Sequence, residues 1–239
     1  MGQLQALEKV TLVNLSPANW GSGMRNWEAL NELRFYNCDL SLFPIKALSG
    51  MSLEYLGFHR CTQMDYDQIQ PGLKLQTLVI QDDDLSQMPK KIHKLKGLVK
   101  LDVTSKQLKS IGKVWKSKSI RNLTVARTEK MTSLPGKISR MQQLEELHLL
   151  APNLRAVPES LVGLSGLKRL TLRSQSWSRL PESLGSLSAL ENLVLGTVRP
   201  ALIPDSVSRL VNLRSVLLYV PENMKREERA QLKALFPSP

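Results

Sequence analysis

The sequence predicts an α/β solenoid, a curved right-handed coil of about ten short turns. A parallel sheet is expected on the concave side, irregular, 3₁₀ or short helical segments on the convex side, and a capping helix at the C-terminal end. Three observations predict it. A leucine pattern recurs ten times in register, an apolar-proline pair follows it at a fixed offset, and the closing stretch reads as an amphipathic helix.

The first observation carries the most weight. Residues 30–40 follow LxxLxLxxCxL, and the frame returns in 53–61, with Met64 one place late. Turns start near Leu7, Leu30, Leu53, Leu75, Leu98, Ile120, Leu144, Leu167, Leu190 and Leu213, at spacings of 23, 23, 22, 23, 22, 24, 23, 23 and 23. Within LxL the period is two, so both leucines point inward from a short strand while the residue between them points out. The N/C position is expected to turn inward and bond backbone groups freed where the strand ends. No turn of this size buries its apolar side alone, so the turns must stack, as a parallel sheet roughly 43 Å long.

The second signature is Phe43-Pro44, Met88-Pro89, Leu134-Pro135, Val157-Pro158, Leu180-Pro181 and Ile203-Pro204. Proline ends the regular ladder and sets the chain direction, and the xxLxxL that follows suits a short helical or 3₁₀ outer segment. Three turns depart from the pattern: residues 16–23 in the first, Met64-Asp65-Tyr66-Asp67 in the third and Ile111-Gly112 in the fifth. Their outer segments are expected to be irregular. The division is residues 1–220 for the repeats and 221–239 for the capping helix and tail, with Met224, Leu232, Leu235 and Phe236 covering the open end. The N-terminal end has no comparable cap, and residues 2–7 read as the tail of a preceding turn, so a longer parent protein or another covering element is expected.

Composition narrows the class. No run of 18 apolar residues exists, so no transmembrane segment is expected. The start lacks a charged region followed by an apolar one, so a cleaved leader is not expected, and Ala6 stands where a myristoylation site wants Ser or Thr. Two cysteines are too few for a secreted disulfide scaffold, which makes an intracellular compartment the expectation. Cys38 and Cys61 share one position in adjacent turns, close enough for a disulfide, but buried reduced thiols are the expectation.

The quoted units resemble the 23-residue, LP-containing class of leucine-rich repeats. That class occurs in plant intracellular immune receptors, Ras-pathway scaffolds, and the type III-type effectors that pathogenic bacteria inject into host cells. The terminal helix resembles the charged helix closing the array in several bacterial effectors. The resemblance implies a protein-recognition domain, with any catalysis in a separate domain, often a ubiquitin-ligase module. As an effector it would be secreted and act in host cytoplasm on host proteins. A plant immune-receptor fragment is the first alternative.

Candidate chemistry is sparse. His59, His93 and His148 lie in different turns without ligand-spaced partners, so no metal or other cofactor is expected, and His59 and His148 fall on the strand surface as contact residues. No nucleophile elbow, phosphate loop or Cys–His pair appears, so no catalytic residue is assigned. The partner is expected on the concave face, where the outward positions of the LxL frame include Arg34, Tyr36, His59, Gln81, Asp102, Thr104, His148, Leu150, Arg173 and Tyr219. Tyr and Arg are the residue types that tend to dominate interface energy.

Charge is the remaining signal. Of the net +12, residues 90–140 hold fifteen Lys and Arg against Asp102 and Glu129. Lys90, Lys91, Lys94, Lys96, Lys113, Lys116, Lys118, Lys137 and Arg140 map to the convex side, and Lys106, Lys109 and Lys130 to the ascending loops. Only Lys100, Arg121 and Arg127 reach the strand surface in this frame. This block is either a solvated face or a docking site for an acidic partner, another domain of the same protein, nucleic acid or anionic lipid. A nucleic acid is disfavoured by the lack of interleaved aromatics, Trp115 being the one nearby. Oligomeric state is not legible.

Overall fold

The structure, a computed structural model, describes residues 6–16, 27–196 and 199–236. Ten five-residue strands form one parallel sheet in strict chain order: β1 (Lys9–Val13), β2 (Glu32–Tyr36), β3 (Tyr55–His59), β4 (Thr77–Gln81), β5 (Lys100–Thr104), β6 (Asn122–Ala126), β7 (Glu146–Leu150), β8 (Arg169–Arg173), β9 (Asn192–Gly196) and β10 (Ser215–Tyr219). Every strand begins two residues after the leading apolar residue of its turn. The ladders run without a register slip, Leu33 beside Leu56, Leu56 beside Leu78, Leu78 beside Leu101. The one-residue differences in spacing are therefore absorbed between the strands.

The second and fourth residue of a strand point into the core, as Leu147 and Leu149 do, each with no exposed surface. Burying one such leucine contributes about 1.5–3 kcal/mol. Aromatic residues fill the N-terminal part of the core. Phe35 and Phe58 stack at 5.4 Å, Phe43 meets Phe35 edge-on, and Tyr66 meets Phe58 edge-on.

After four of the strands a small polar residue turns inward and meets backbone carbonyls. Cys38 Sγ lies 3.5 Å from the Leu12 carbonyl oxygen, and Cys61 Sγ donates to the His59 carbonyl. The same place is taken by Ser105 and Ser174, whose hydroxyls donate to the Leu85 and Leu154 carbonyls at 2.8 and 2.7 Å. These serines follow their strands directly, whereas the cysteines come one residue later. The extra residue is Asn37 or Arg60, at φ of 52° and 54°, and Arg127 at φ 56° likewise delays buried Thr128. A left-handed residue at the strand end thus shifts the inward position by one. Both thiols are free and buried.

The outer side carries short 3₁₀ segments. Where Pro135, Pro158, Pro181 and Pro204 stand, at φ between −67° and −71°, each opens a five-residue segment: Gly136–Arg140, Glu159–Gly163, Glu182–Ser186 and Asp205–Arg209. Just before three of these prolines, Ser133, Ala156 and Arg179 form isolated parallel bridges. The third and fifth turns are more regular than expected. They form Tyr66–Gln68 and Val114–Lys116, because an i to i+3 bond needs no proline, and the Asp65 carboxylate accepts from the Asp67 amide at 3.0 Å. Of the first departure, 17–23 lie outside the described residues.

The terminal helix, α1 (Arg226–Leu235), covers less than expected. Met224 and Leu232 are buried, but Leu235 and Phe236 only half so. The helix lies against Pro200–Leu202 and Asp205–Arg209, the outer side of the coil, with Arg199 paired to Glu228. Val216 and Leu218 of β10, inward in every other turn, therefore stay half-exposed.

Candidate functional site on the concave face

Residues one, three and five of each strand face the concave side. The third row holds Arg34, Asp102 and His148, and the fifth holds Tyr36, His59, Gln81, Thr104, Leu150, Arg173 and Tyr219, so every predicted contact residue lies on this face. Apart from Lys100, the first row was missed. It contributes Glu32, Tyr55, Glu146 and Arg169, and the period of two, continued one step before LxL, would have found them.

Neighbouring strands bring several of these residues together. At the N-terminal end Tyr36 stacks on His59 at 4.3 Å with ring planes 6° apart. The Arg34 guanidinium lies 4.4 Å from the Tyr55 ring centroid, while its Nε donates to Glu32 at 2.6 Å. Glu32 also pairs with Lys9. Gly57 permits this crowding, since a Cβ there would lie 2.9 Å from the Tyr55 ring and 3.0 Å from His59 Nε2.

His59 departs from the expectation of an exposed contact. It is 9% exposed, covered by Tyr36, and Nδ1 lies 3.0 Å from Gln81 Oε1. Its Nε2 is buried with no partner among the described residues. The ring is held between Tyr36 and Gln81 of the two flanking strands. His148 is half-exposed, bonds the Thr171 hydroxyl at 2.9 Å and sits 3.6 Å from Glu146. Thr104 and Leu150 are half-exposed as well.

Asp102 is the acidic group at the middle of the sheet. Burial pushes its carboxyl above the usual carboxylate range, opposed by Lys100, His59 and His148. Near the C-terminal end, the Arg173 guanidinium lies 4.3 Å from the Tyr219 ring centroid. Tyr219 is 43% and its neighbour Leu217 48% exposed, an apolar surface open to a partner.

Along the edge where chains enter the strands, charges alternate from turn to turn. Arg121 and Lys168 flank Glu145 at 2.6 and 3.1 Å, and hold its carboxyl below the usual range. Glu191 pairs with Arg214, and Glu146 with Arg169. Arg121 and Arg127 sit just outside β6 rather than on it, because the strand spans only Asn122–Ala126, and Arg127 reaches toward Asp83. The convex lysines Lys90, Lys91, Lys94, Lys96, Lys113, Lys116 and Lys118 are all exposed, Lys90 paired with Asp67 at 3.1 Å. Among the described residues no group of three or more His, Cys, Asp or Glu is placed to hold a metal ion, and no helix is long and apolar enough to cross a membrane.

A family profile described as a leucine-rich repeat region matches residues 104–237. Among curated proteins none matches in sequence. Among solved structures, the chain is similar to a leucine-rich-repeat protein of Leptospira interrogans, with a TM-score of 0.70 and 23% identity over 97% of this chain and 59% of that one. It is also similar to a plant peptide hormone receptor solved in complex with RGF2 (TM-score 0.62, 20% identity, 89% and 34% of the two chains). A third likeness is to a structure of the Drosophila Toll–Spatzle complex (TM-score 0.56, 17% identity, 87% and 36%). The chain thus spans about three-fifths of the Leptospira protein and about a third of the other two. At these identities the likeness is one of fold.

Proposed function

The chain belongs to the leucine-rich-repeat family, and on that premise we propose that it is a protein-recognition domain holding its partner on the concave sheet. The observation that carries this reading is the set of ring contacts already formed there: Tyr36 on His59, Arg34 on Tyr55 and Arg173 on Tyr219. Large side chains held in place by their neighbours lose little freedom when a partner covers them, and pre-ordering of this kind lowers the cost of binding. The contact zone takes in Arg34, Tyr36, Tyr55, Gln81, Asp102, Thr104, His148, Leu150, Arg173 and Tyr219.

The finer reading is that this is the target-binding repeat domain of a bacterial effector, meeting a host protein, with catalysis elsewhere in the full-length protein. The 23-residue LP unit supports it, and the same unit leaves a plant immune-receptor fragment as the rival. The test is affinity capture from host-cell lysate with the wild-type chain and with a Tyr36→Ala, Arg173→Ala, Tyr219→Ala triple variant. A protein retained by the first and lost by the second identifies the partner. Equal retention by both would remove the concave site.

A further inference from the structure

The convex side carries a cluster that the concave reading leaves unused. In three consecutive turns the 3₁₀ segments Ile92–Lys94, Val114–Lys116 and Gly136–Arg140 turn Ile92, Val114 and Ile138 into the core. Immediately before these stand Lys91, Lys113 and Lys137, and two residues after them Lys94, Lys116 and Arg140, making two parallel rows of three cations. All six are exposed, and among the described residues none pairs with a carboxylate. Between the rows lies Trp115, half-exposed and packed on the core below. Its ring has Lys137 and Arg140 at 5.1 Å and Lys116 at 5.4 Å. The equivalent places in the neighbouring turns are His93 and Ser139, and Val162, 40% exposed, takes it one turn beyond the cationic rows. The rows are bounded on one side by the Lys90–Asp67 pair and on the other by Glu159, whose carboxylate accepts from the Glu182 and Ser183 amides.

We propose that this lattice docks the domain on an anionic phospholipid bilayer, leaving the opposite concave face free for its protein partner. Six like charges held together with none in a salt bridge among the described residues repel one another, and that repulsion is relieved when anionic groups gather against them. Each Lys or Arg near an anionic membrane adds to the attraction, and clusters of about 4–8 are the usual electrostatic footprint. Five of the six are lysines, suited to a mobile, non-directional anion layer rather than to the bidentate reading of fixed phosphates. A half-exposed Trp115 between two rows of cations has the arrangement of an interfacial anchor. Nucleic acid fits less well. A convex surface against a convex duplex meets few phosphates, whereas laterally mobile lipids collect beneath a fixed lattice, and the Trp115 face already has cations over it rather than room for a base.

The experiment is co-sedimentation of the full chain with vesicles of phosphatidylcholine alone, or with about 30% phosphatidylserine, at about 0.1 and 0.5 M salt. Binding is expected only with phosphatidylserine, and to weaken at the higher salt. The triple variant Lys94→Glu, Lys116→Glu, Arg140→Glu should lose at least about tenfold in affinity. Trp115→Ala should lose about threefold or more. A charge-matched control, Lys74→Glu, Arg155→Glu, Arg209→Glu, should lose much less, and circular dichroism checks that each variant is folded. Failure to sediment with phosphatidylserine vesicles, or equal loss in the control triple, overturns the proposal. So does binding of RNA or polyglutamate, but not vesicles, through the same residues.

Discussion

Arg173 reaches past Gly196 to lie on the ring of Tyr219, two strands away and 4.3 Å from its centroid. A Cβ at Gly196 would sit 2.8 Å from Arg173 Cγ, so the missing side chain in β9 is what lets the arginine cross. If the partner lies on the concave sheet, Tyr219→Ala or Arg173→Ala should weaken binding by more than about 2 kcal/mol. Stability should change by less than about 0.5 kcal/mol, as surface substitutions usually do. Titration calorimetry and thermal melts with the captured partner measure the two quantities. Reversing Lys90, Lys91 and Lys94 should leave partner affinity nearly unchanged at physiological salt, where charges beyond about 8 Å are screened.

The neighbouring stack should behave differently. His59 is buried against Tyr36 and bonded to Gln81, so His59→Ala leaves a gap and removes a bond to the Gln81 amide. A loss of about 1–3 kcal/mol of stability is expected. Tyr36→Ala, at a half-exposed site, should cost far less stability while weakening partner binding. Urea unfolding of the two variants separates support from contact.

Gly185 offers the sharpest structural test. A Cβ there would fall 1.8 Å from the Ser206 carbonyl oxygen in the next turn, against backbone that cannot rotate away. Gly185→Ala should therefore force two turns apart and cost about 1–3 kcal/mol or more, as overpacking does. Gly72→Ala, with nothing within 4 Å of the added carbon, is the control. Equal melting temperatures for the two would mean that the turns are not packed this closely in solution.

For the cap, Leu232→Asp should cost several kcal/mol, because the side chain is 4% exposed and a buried leucine contributes about 1.5–3 kcal/mol before the charge is counted. Leu235→Asp, at a half-exposed position, should cost distinctly less. Thermal melts would reveal an appendage if both variants matched the wild type.

Asp102 ties stability to pH. Its folded carboxyl titrates above the unfolded one, so the folded state holds the proton more tightly. That contribution is fully present below the unfolded pKa of about 3.9 and is lost as pH rises through the folded value. Asp102→Asn should accordingly raise the melting temperature near pH 7, and the gain should shrink as pH falls toward about 4. A gain that stayed constant across this range would mean that burial of the charge is not its origin.

The repeat start sites, the strand positions and the division of side chains into core and concave face were legible from the sequence. A period of two inside a period of about 23 leaves one register in which every apolar pair faces inward. The concave residues were legible for the same reason, down to the first row that continuing the alternation would have added. Other features depended on side chains from turns some 23 residues apart. Burial of His59 depends on Tyr36 and Gln81 in the strands on either side, and the Arg173–Tyr219 contact on the glycine between them. The cations around Trp115 come from its own turn and the next one. The partial cover at the C-terminal end follows from α1 lying on the outer segments instead of across β10. Local periodicity states which way a side chain leaves the backbone. What it meets there is decided by neighbours brought alongside only when the coil closes turn upon turn.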